Sequence, residues 1–571
     1  MLALGGLIVL AGLWLVVTGL IARHELTQVR ADVTRLRAAI SAGELPAARR
    51  MAVDIASHAH RAHQLTTGPV WALAAELPAG GESLQTIRGV TASVDRLGND
   101  VLPRLVSASR GLDPATLRHA DGSFDLAAIA RAAPELTRAS AGISSAISTV
   151  GRLPQHTWLA TIDSARQDVF GQLTSLDRTI RTADIAARVA PSMLGQQAPR
   201  SYLVSFETEA ELRGTGGLPG AFAILKADRG KLTFTRFESD GTLSGVKSGL
   251  NFGPDYNQLY AGANATDEYP DSDVSPHFPY TAQIWTQMWR KYSGQRLAGA
   301  MVLDPTALSY LLQVTGPTTL SDHTQINATN VVALTQQSAY AKFALADQNG
   351  RKQYLLQIAR AISRQLIGST ANTTALVRAA GRAAGERRLL AWSADPAVES
   401  VLTGTPLSGV VASTAAPFVG LSINNAAANK LDYYLSGAVR RTSRGCGRTR
   451  DVTVTVTLRN DAPLHLPAYV LGLTGRPGYP KRPGDNRLLV GYFASNGSHL
   501  TSAELNGAPT TSQIGAERGH PVYTMELALP RASTQTLVLH LTEPSSGAQP
   551  VVLRQPLVRP LTVTLEDARC A

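Results

Sequence analysis

The sequence predicts a multidomain protein: an N-terminal transmembrane helix, an α-helical stalk, an α/β domain and a C-terminal β-sandwich. Three observations predict it. Residues 1–22 carry no charged side chain and read MLALGGLIVLAGLWLVVTGLIA, about the length of a bilayer-crossing helix. Residues 23–192 are alanine-rich, with apolar positions three and four apart. Beyond residue 431 the apolar period falls to two, as in DVTVTVTL at 451–458. At 571 residues the chain exceeds what a single core supports, and it divides as 1–22, 23–192, 193–430 and 431–571.

The first segment has neither a basic leading region nor a small-x-small cleavage site, which favours an anchor over a cleaved signal. Arg23 and Arg30 follow it and nothing basic precedes it, so the positive-inside rule taken literally puts the bulk in the cytoplasm. The two cysteines point the other way. Cys446 precedes a predicted strand and Cys570 follows the last one; two thiols cannot build a tetrahedral zinc site. A disulfide between Cys446 and Cys570 would staple the final strand in an oxidising compartment; two free thiols are the alternative. The expectation is a single-pass cell-membrane protein with its bulk extracytoplasmic. With 54 Lys and Arg against 43 Asp and Glu, the net charge is +11, suited to anionic lipid or cell-wall polymer. No recognition helix, zinc finger or aromatic–basic pattern accompanies that charge, so no nucleic-acid partner is expected.

In the stalk, Leu26, Val29, Val33, Leu36 and Ile40 form a short heptad seam. Gly43 and Pro46 break it, and further breaks fall at 78–81, 111–114, 121–122 and 154. His58, His60 and His63 have no cysteine nearby and read as a solvated polar face.

The α/β segment opens on YLVSFETEAELRGTGGLPGAFAILKADRGKLTFTRFESD at 202–240. An apolar strand at 202–206 leads to a turn holding Glu207, Glu209, Glu211 and Arg213. A second strand follows at 221–225, a hairpin tip at 228–230, and a third strand ending at Asp240. The glycines at 214–220 precede a strand, not a helix, which rules out a dinucleotide loop; they are expected to let the backbone turn sharply or approach a ligand. Helices are expected at 280–292, at 306–314 behind the cap Asp304-Pro305, at 327–343 and at 351–367, with a buried strand at 298–303.

The run Ala210-Glu-Leu-Arg-x-Thr-Gly-Gly217 after the first strand resembles a bacterial group known as domain-of-unknown-function family 4012. Residues 200–370 also resemble, in topology more than identity, the LytR–CpsA–Psr enzymes, which transfer lipid-pyrophosphate-linked glycopolymers onto peptidoglycan. The acidic residue and arginine after their first strand correspond to Glu209 and Arg213, and the aspartate ending their hairpin corresponds to Asp240. Their Ala-Tyr-x-Arg helix end and following Asp…Gly-Arg correspond to Ala339-Tyr340-Ala-Lys342, Asp347 and Arg351. The resemblance implies a phosphotransferase-like site with Arg213, Asp240 and Arg351 as catalytic residues and Glu211, Tyr340 and Lys342 as ligand-binding residues. It implies Glu209, Asp240 and Asp347 as ligands of Mg2+, and a polyprenyl-phosphate lipid or cell-wall glycopolymer as partner. The sequence departs from the enzymes at Ser239 and Tyr354, where they carry arginine. A non-catalytic envelope scaffold or glycopolymer-binding module is therefore the alternative, with the charges at 211–213 and 347–351 as loop salt bridges.

Short strands at 451–458, 487–493, 522–529, 536–541 and 561–565, separated by Pro, Gly and Asn turns, read as a β-sandwich. Arg440, Arg441, Arg444, Arg448 and Arg450 surround Cys446 and are expected in a solvated basic loop, with a contact for anionic polymer or lipid headgroups as the alternative.

Overall fold

A computed structural model describes the chain from residue 2 to 567, apart from Gly43, Ala79, 110–116, Thr370 and Asn372. Cys570 lies outside the described residues. The chain forms two compact units, Met1–Ala198 and Pro199–Ala571.

The first unit is helical: α1 (Leu2–Ala42), α2 (Leu45–Thr66), α3 (Pro69–Ala75), α4 (Gly81–Arg96), α5 (Leu102–Ser109), α6 (Leu126–Arg152) and α7 (Ala160–Met193). One continuous α1 carries both the apolar run and the heptad seam, since no glycine or proline interrupts the seam before residue 43. Val29 and Leu36 bury against Ala48, Ala52 and Ile55 of α2 and Val90 and Val94 of α4. Two of the three histidines face carboxylates: His58 meets Glu25 at 2.5 Å and His60 meets Asp95 at 3.1 Å. The apolar helix is compatible with a membrane span or a signal sequence.

The second unit begins with a five-stranded sheet built from β1 (Arg200–Leu212), β2 (Gly217–Asp228), β3 (Lys231–Ser239), β4 (Gly299–Leu303) and β5 (Leu389–Ser393), in the order β3-β2-β1-β4-β5. Only β1 and β4 run parallel within it. Helices α8 (Pro254–Tyr260), α9 (Phe278–Ser293), α10 (Pro305–Thr315), α11 (Gln348–Gly368) and α12 (Thr373–Gly385) accompany the sheet. Asp304 caps α10 by accepting from Ala307 N at 2.6 Å, and Asp347 caps α11 by accepting from Gly350 N at 2.8 Å. Phe222, Phe278, Trp285 and Trp289 are fully buried in one core with Leu203 and Val302. The helix expected at 327–343 is present as one helical run, Val331–Ala333 passing through a π-helical stretch at Leu334–Ser338 into Ala339–Lys342.

The expected charged turn after residue 206 is a correction. β1 continues to Leu212, with irregular register after Phe206 and after Thr208, and carries Glu207, Glu209 and Glu211 into the interior. A Cβ on Gly214 would lie 2.1 Å from Val274 O, and one on Gly217 would lie 2.2 Å from Thr208 O. These glycines thus admit neighbouring backbone, not a ligand.

The strands beyond residue 417 are β6 (Phe418–Asn425), β7 (Leu435–Arg444), β8 (Thr449–Asn460), β9 (Asn486–Phe493), β10 (His499–Leu505), β11 (Ala508–Pro509), β12 (Gln513–Glu517), β13 (His520–Leu529), β14 (Thr534–Pro544), β15 (Val551–Leu553) and β16 (Thr562–Asp567). They form sheets in the orders β11-β10-β14-β8-β7-β16 and β12-β13-β9-β6-β15. Val452, Val454, Val456 and Leu458 of the first sheet share one core with Leu488, Val490 and Tyr492 of the second, as strict alternation in β8 requires. Because β6 pairs with β9 and β15, the boundary expected at 430 falls after a strand of these sheets.

The basic run is a second correction. Arg440, Arg441 and Arg444 lie in β7, not in a loop. Arg441 is fully buried, with Nη2 donating to Glu543 Oε2 at 2.8 Å and Nη1 to Asp567. β7 pairs in parallel with β16, ending at Ser443 opposite Asp567; Cys446 and Cys570 each follow three residues on. We expect the disulfide between them to form. Non-reducing peptide mapping of the membrane-extracted protein should recover the cross-linked pair, and two alkylatable thiols would count against it.

Candidate functional site

The sequence-predicted residues fall into two groups. Asp240, Tyr340 and Arg351 line one open cleft on the α/β sheet. Its apolar wall is Phe206, Leu218, Leu303, Leu308, Leu355 and Ile358. The other polar lining includes Lys352, Lys430 and Tyr469.

Arg351 sits in the first turn of α11, placed by the Asp347 cap, and is 1% exposed. Its guanidinium carbon lies 3.4 Å from the centre of the Tyr469 ring, within cation–π range. Nη2 donates to Gln348 Oε1. Nη1 is buried with no hydrogen-bond partner among the described residues, which leaves a forked donor half-used. Tyr340 packs its ring 5.3 Å from Tyr469 and places its hydroxyl 3.4 Å from Thr208 Oγ1; burial pushes its phenol well above the ordinary range. Asp240 meets Lys352 Nζ at 2.7 Å. Lys430 meets the Glu211 carboxylate, and burial pushes its ammonium down to about 8.

Glu209, Glu211 and Arg213 do not line the cleft. They belong to a buried charge network that seats β1 among the C-terminal strands. Glu209 accepts from Arg388 Nη1 at 3.1 Å and from Gln336 Nε2 at 2.7 Å. Arg388 also donates to Asp304 Oδ2 and to Leu557 O, both at 2.7 Å. Glu211 joins Arg213, at 3.0 Å, to Lys430. Arg213 reaches Asp271 at 2.7 Å, and its carbonyl accepts from Gln555. Arg213 therefore connects to the cleft only through Glu211 and Lys430.

Lys342 and Asp347 are surface residues with local partners. Lys342 pairs with Asp322 at 2.7 Å and stands over the Tyr354 ring; Asp347 is the α11 cap. The expected Mg2+ ligands fail to converge. Glu209 is held by Arg388, Asp240 by Lys352, and Asp347 by Gly350 N. No group of three or more His, Cys, Asp or Glu side chains suited to a metal occurs among the described residues. These residues do not fit the ion the resemblance implied.

Sequence reasoning missed Lys352, Lys430 and Tyr469. Lys352 adjoins Arg351 and was findable from the helix turn; the other two lie in segments with no local signal.

Glu207, which also lines the cleft, has the buried Asp273 carboxyl as a close charged neighbour. Asp273 has neither oxygen paired among the described residues. Burial, then the partner carboxyl, pushes Glu207 well up; burial does the same to Asp273. A folded-state value above the unfolded one gives stability that is complete at acid pH and lost as pH rises above the ordinary carboxylate range. Glu207→Gln should flatten that alkaline loss, read as melting temperature against pH. An unchanged profile would mean that the pair does not share a proton.

Residues 197–340 match the family described as Protein of unknown function (DUF4012), which supports the resemblance carried by the motif ending at Gly217. No curated protein matches the chain. A crystal structure described as a putative nutrient binding protein from Legionella pneumophila is similar over 24% of this chain and 46% of that one, at 8% identity and a TM-score of 0.15. The chain spans less than half the length of that protein, and a likeness at this level carries no argument.

Proposed function

We propose that this is a membrane-anchored cell-envelope protein whose cleft binds polyprenyl-(pyro)phosphate-linked glycopolymers, on a LytR–CpsA–Psr-like α/β domain backed by a β-sandwich. The observation that carries the reading is Arg351, buried at the cleft with one guanidinium nitrogen unpaired. A buried donor without a partner is costly, and a phosphate oxygen is the acceptor that a guanidinium fork suits best. Lys352 and Lys430 flank it, each paired with a carboxylate, Asp240 and Glu211, while the wall of Leu and Ile side chains suits a prenyl chain. The ligand class is therefore an anionic phosphate joined to an apolar tail.

Binding is favoured over transfer by the failure of Glu209, Asp240 and Asp347 to converge. The N-terminal apolar helix supports anchoring, and the parallel register of β7 and β16 supports a disulfide and hence an oxidising, extracytoplasmic body.

The full chain in nanodiscs, titrated with undecaprenyl pyrophosphate, undecaprenol and inorganic pyrophosphate, tests the reading. The first should bind most tightly because it fills both the cationic and the apolar parts. Equal binding of undecaprenol would remove the phosphate from the argument, and equal binding of inorganic pyrophosphate would remove the tail.

A further inference from the structure

The helical unit ends, where α1 leaves it, in a cap of exposed apolar side chains. α2 runs antiparallel to α1, with His58 opposite Glu25, and the chain turns at Gly68 into α3. There Trp71 is buried against α1: its Nε1 donates to Thr18 Oγ1 at 2.9 Å, and its ring would touch a Cβ placed on Gly19 at 3.5 Å. Thr18 and Ala22 are buried by these neighbours, whereas Leu13, Trp14, Val16, Val17, Leu20 and Ile21 remain exposed. α3 thus meets α1 in the last turn of its uncharged run, since Arg23 is the first charge after it.

Two more segments reach the same end. Gly81, at the start of α4, packs on Ala75 so closely that a Cβ would lie 2.6 Å from its carbonyl oxygen. Trp158, from the turn between α6 and α7, donates from Nε1 to Gly80 O at 3.3 Å. Around this point Leu73 is 75% exposed, Leu77 58% and Trp158 69%, with Leu159 also exposed. Residues 67–80 contain one charged side chain, Glu76.

Isolated exposed leucines need no explanation. A cluster built from two separate segments of the chain, level with the end of an apolar helix, does. We propose that this end of the helical unit is seated in the bilayer at the headgroup–acyl boundary, with α3 and Trp158 forming an interfacial collar around α1. The occupant of the surface is lipid because the collar is continuous with the exposed apolar face of α1. The amphipathic indole of Trp158 and the leucines beside it are the side chains that partition to that depth. A helix fixed both by its span and by such a collar cannot swivel freely, so the collar sets the tilt of the unit against the membrane.

The proposal rests on α1 being a span, and the test separates the two. Full-length protein carrying a benzoylphenylalanine photocrosslinker at Leu13, Leu73, Leu77, Trp158 or Val53 is reconstituted into phosphatidylglycerol–phosphatidylcholine vesicles with radiolabelled lipid. Val53 is 69% exposed but lies about 20 Å along α2 from the helix end at Thr66. We expect lipid adducts at Leu13, Leu73, Leu77 and Trp158 at least about fivefold above Val53. Adducts at Leu13 with background levels at Leu73, Leu77 and Trp158 would overturn the collar and leave the anchor standing. Background at Leu13 itself would remove the anchor and the collar together.

Discussion

Replacing Arg388 by alanine should cost about 3–5 kcal/mol of stability, the loss typical of removing one partner from a buried ion pair. Arg388 is itself buried and holds Glu209 and Asp304 at 3.1 and 2.7 Å. Those two carboxyls already contact one another, and burial followed by the Asp304 charge pushes Glu209 well above the ordinary carboxylate range. Without the guanidinium, nothing offsets their repulsion in a low-dielectric interior. The lost bond to Leu557 O also frees the segment leading to β16. Protonation relieves the repulsion, so the deficit should be smaller at acid pH and grow as pH rises. Denaturant unfolding of the full chain, followed by tryptophan fluorescence at several pH values, measures this. A deficit below about 1 kcal/mol, independent of pH, would show that the network is not what seats β1.

Arg351→Ala should weaken binding of undecaprenyl pyrophosphate roughly 10- to 150-fold, the equivalent of about 1.5–3 kcal/mol for a charge-assisted hydrogen bond. Arg351→Lys should recover only part of this, because an ammonium lacks the planar fork and stacks poorly on Tyr469. Arg213→Ala is the informative contrast. Its guanidinium is committed to Glu211 and Asp271, so it should lower stability while folded protein binds the lipid with nearly native affinity. Equal losses of affinity in folded Arg213→Ala and Arg351→Ala proteins would restore Arg213 to the site. No loss in Arg351→Ala would withdraw the cleft as the phosphate site.

Read from sequence, the charged motif at 207–213 carried the strongest appearance of chemistry and the basic run at 440–450 read as a solvated loop; the motif proved to be interior scaffolding, and in the run Arg441 and Arg450 are buried while Arg440, Arg444 and Arg448 stay exposed. The appearance misled for one reason: a charge declares its type in the sequence but not its partner. Glu211 and Lys430 are 219 positions apart, Arg388 and Glu209 are 179 apart, and Arg441 meets Glu543 across 102. The residues that do line the cleft were partly legible. Asp240 and Arg351 were recoverable from strand end and helix start, while Lys430 and Tyr469 were not.

What the sequence determined by itself is whatever backbone geometry writes locally. Alternation at 451–458 specified a strand with one buried face. Asp304 and Asp347 marked helix starts through their own side-chain oxygens. The uncharged run at the N-terminus marked α1, because a helix of that composition has no polar face to offer water. What only the tertiary structure decided is which charges are buried and which are free. That depends on docking β1 against the C-terminal strands, where a low dielectric makes pairing compulsory for Glu209, Glu211 and Arg213, and on the packing of those strands themselves for Arg441. The same packing leaves Arg351 beside the cleft with a donor to spare.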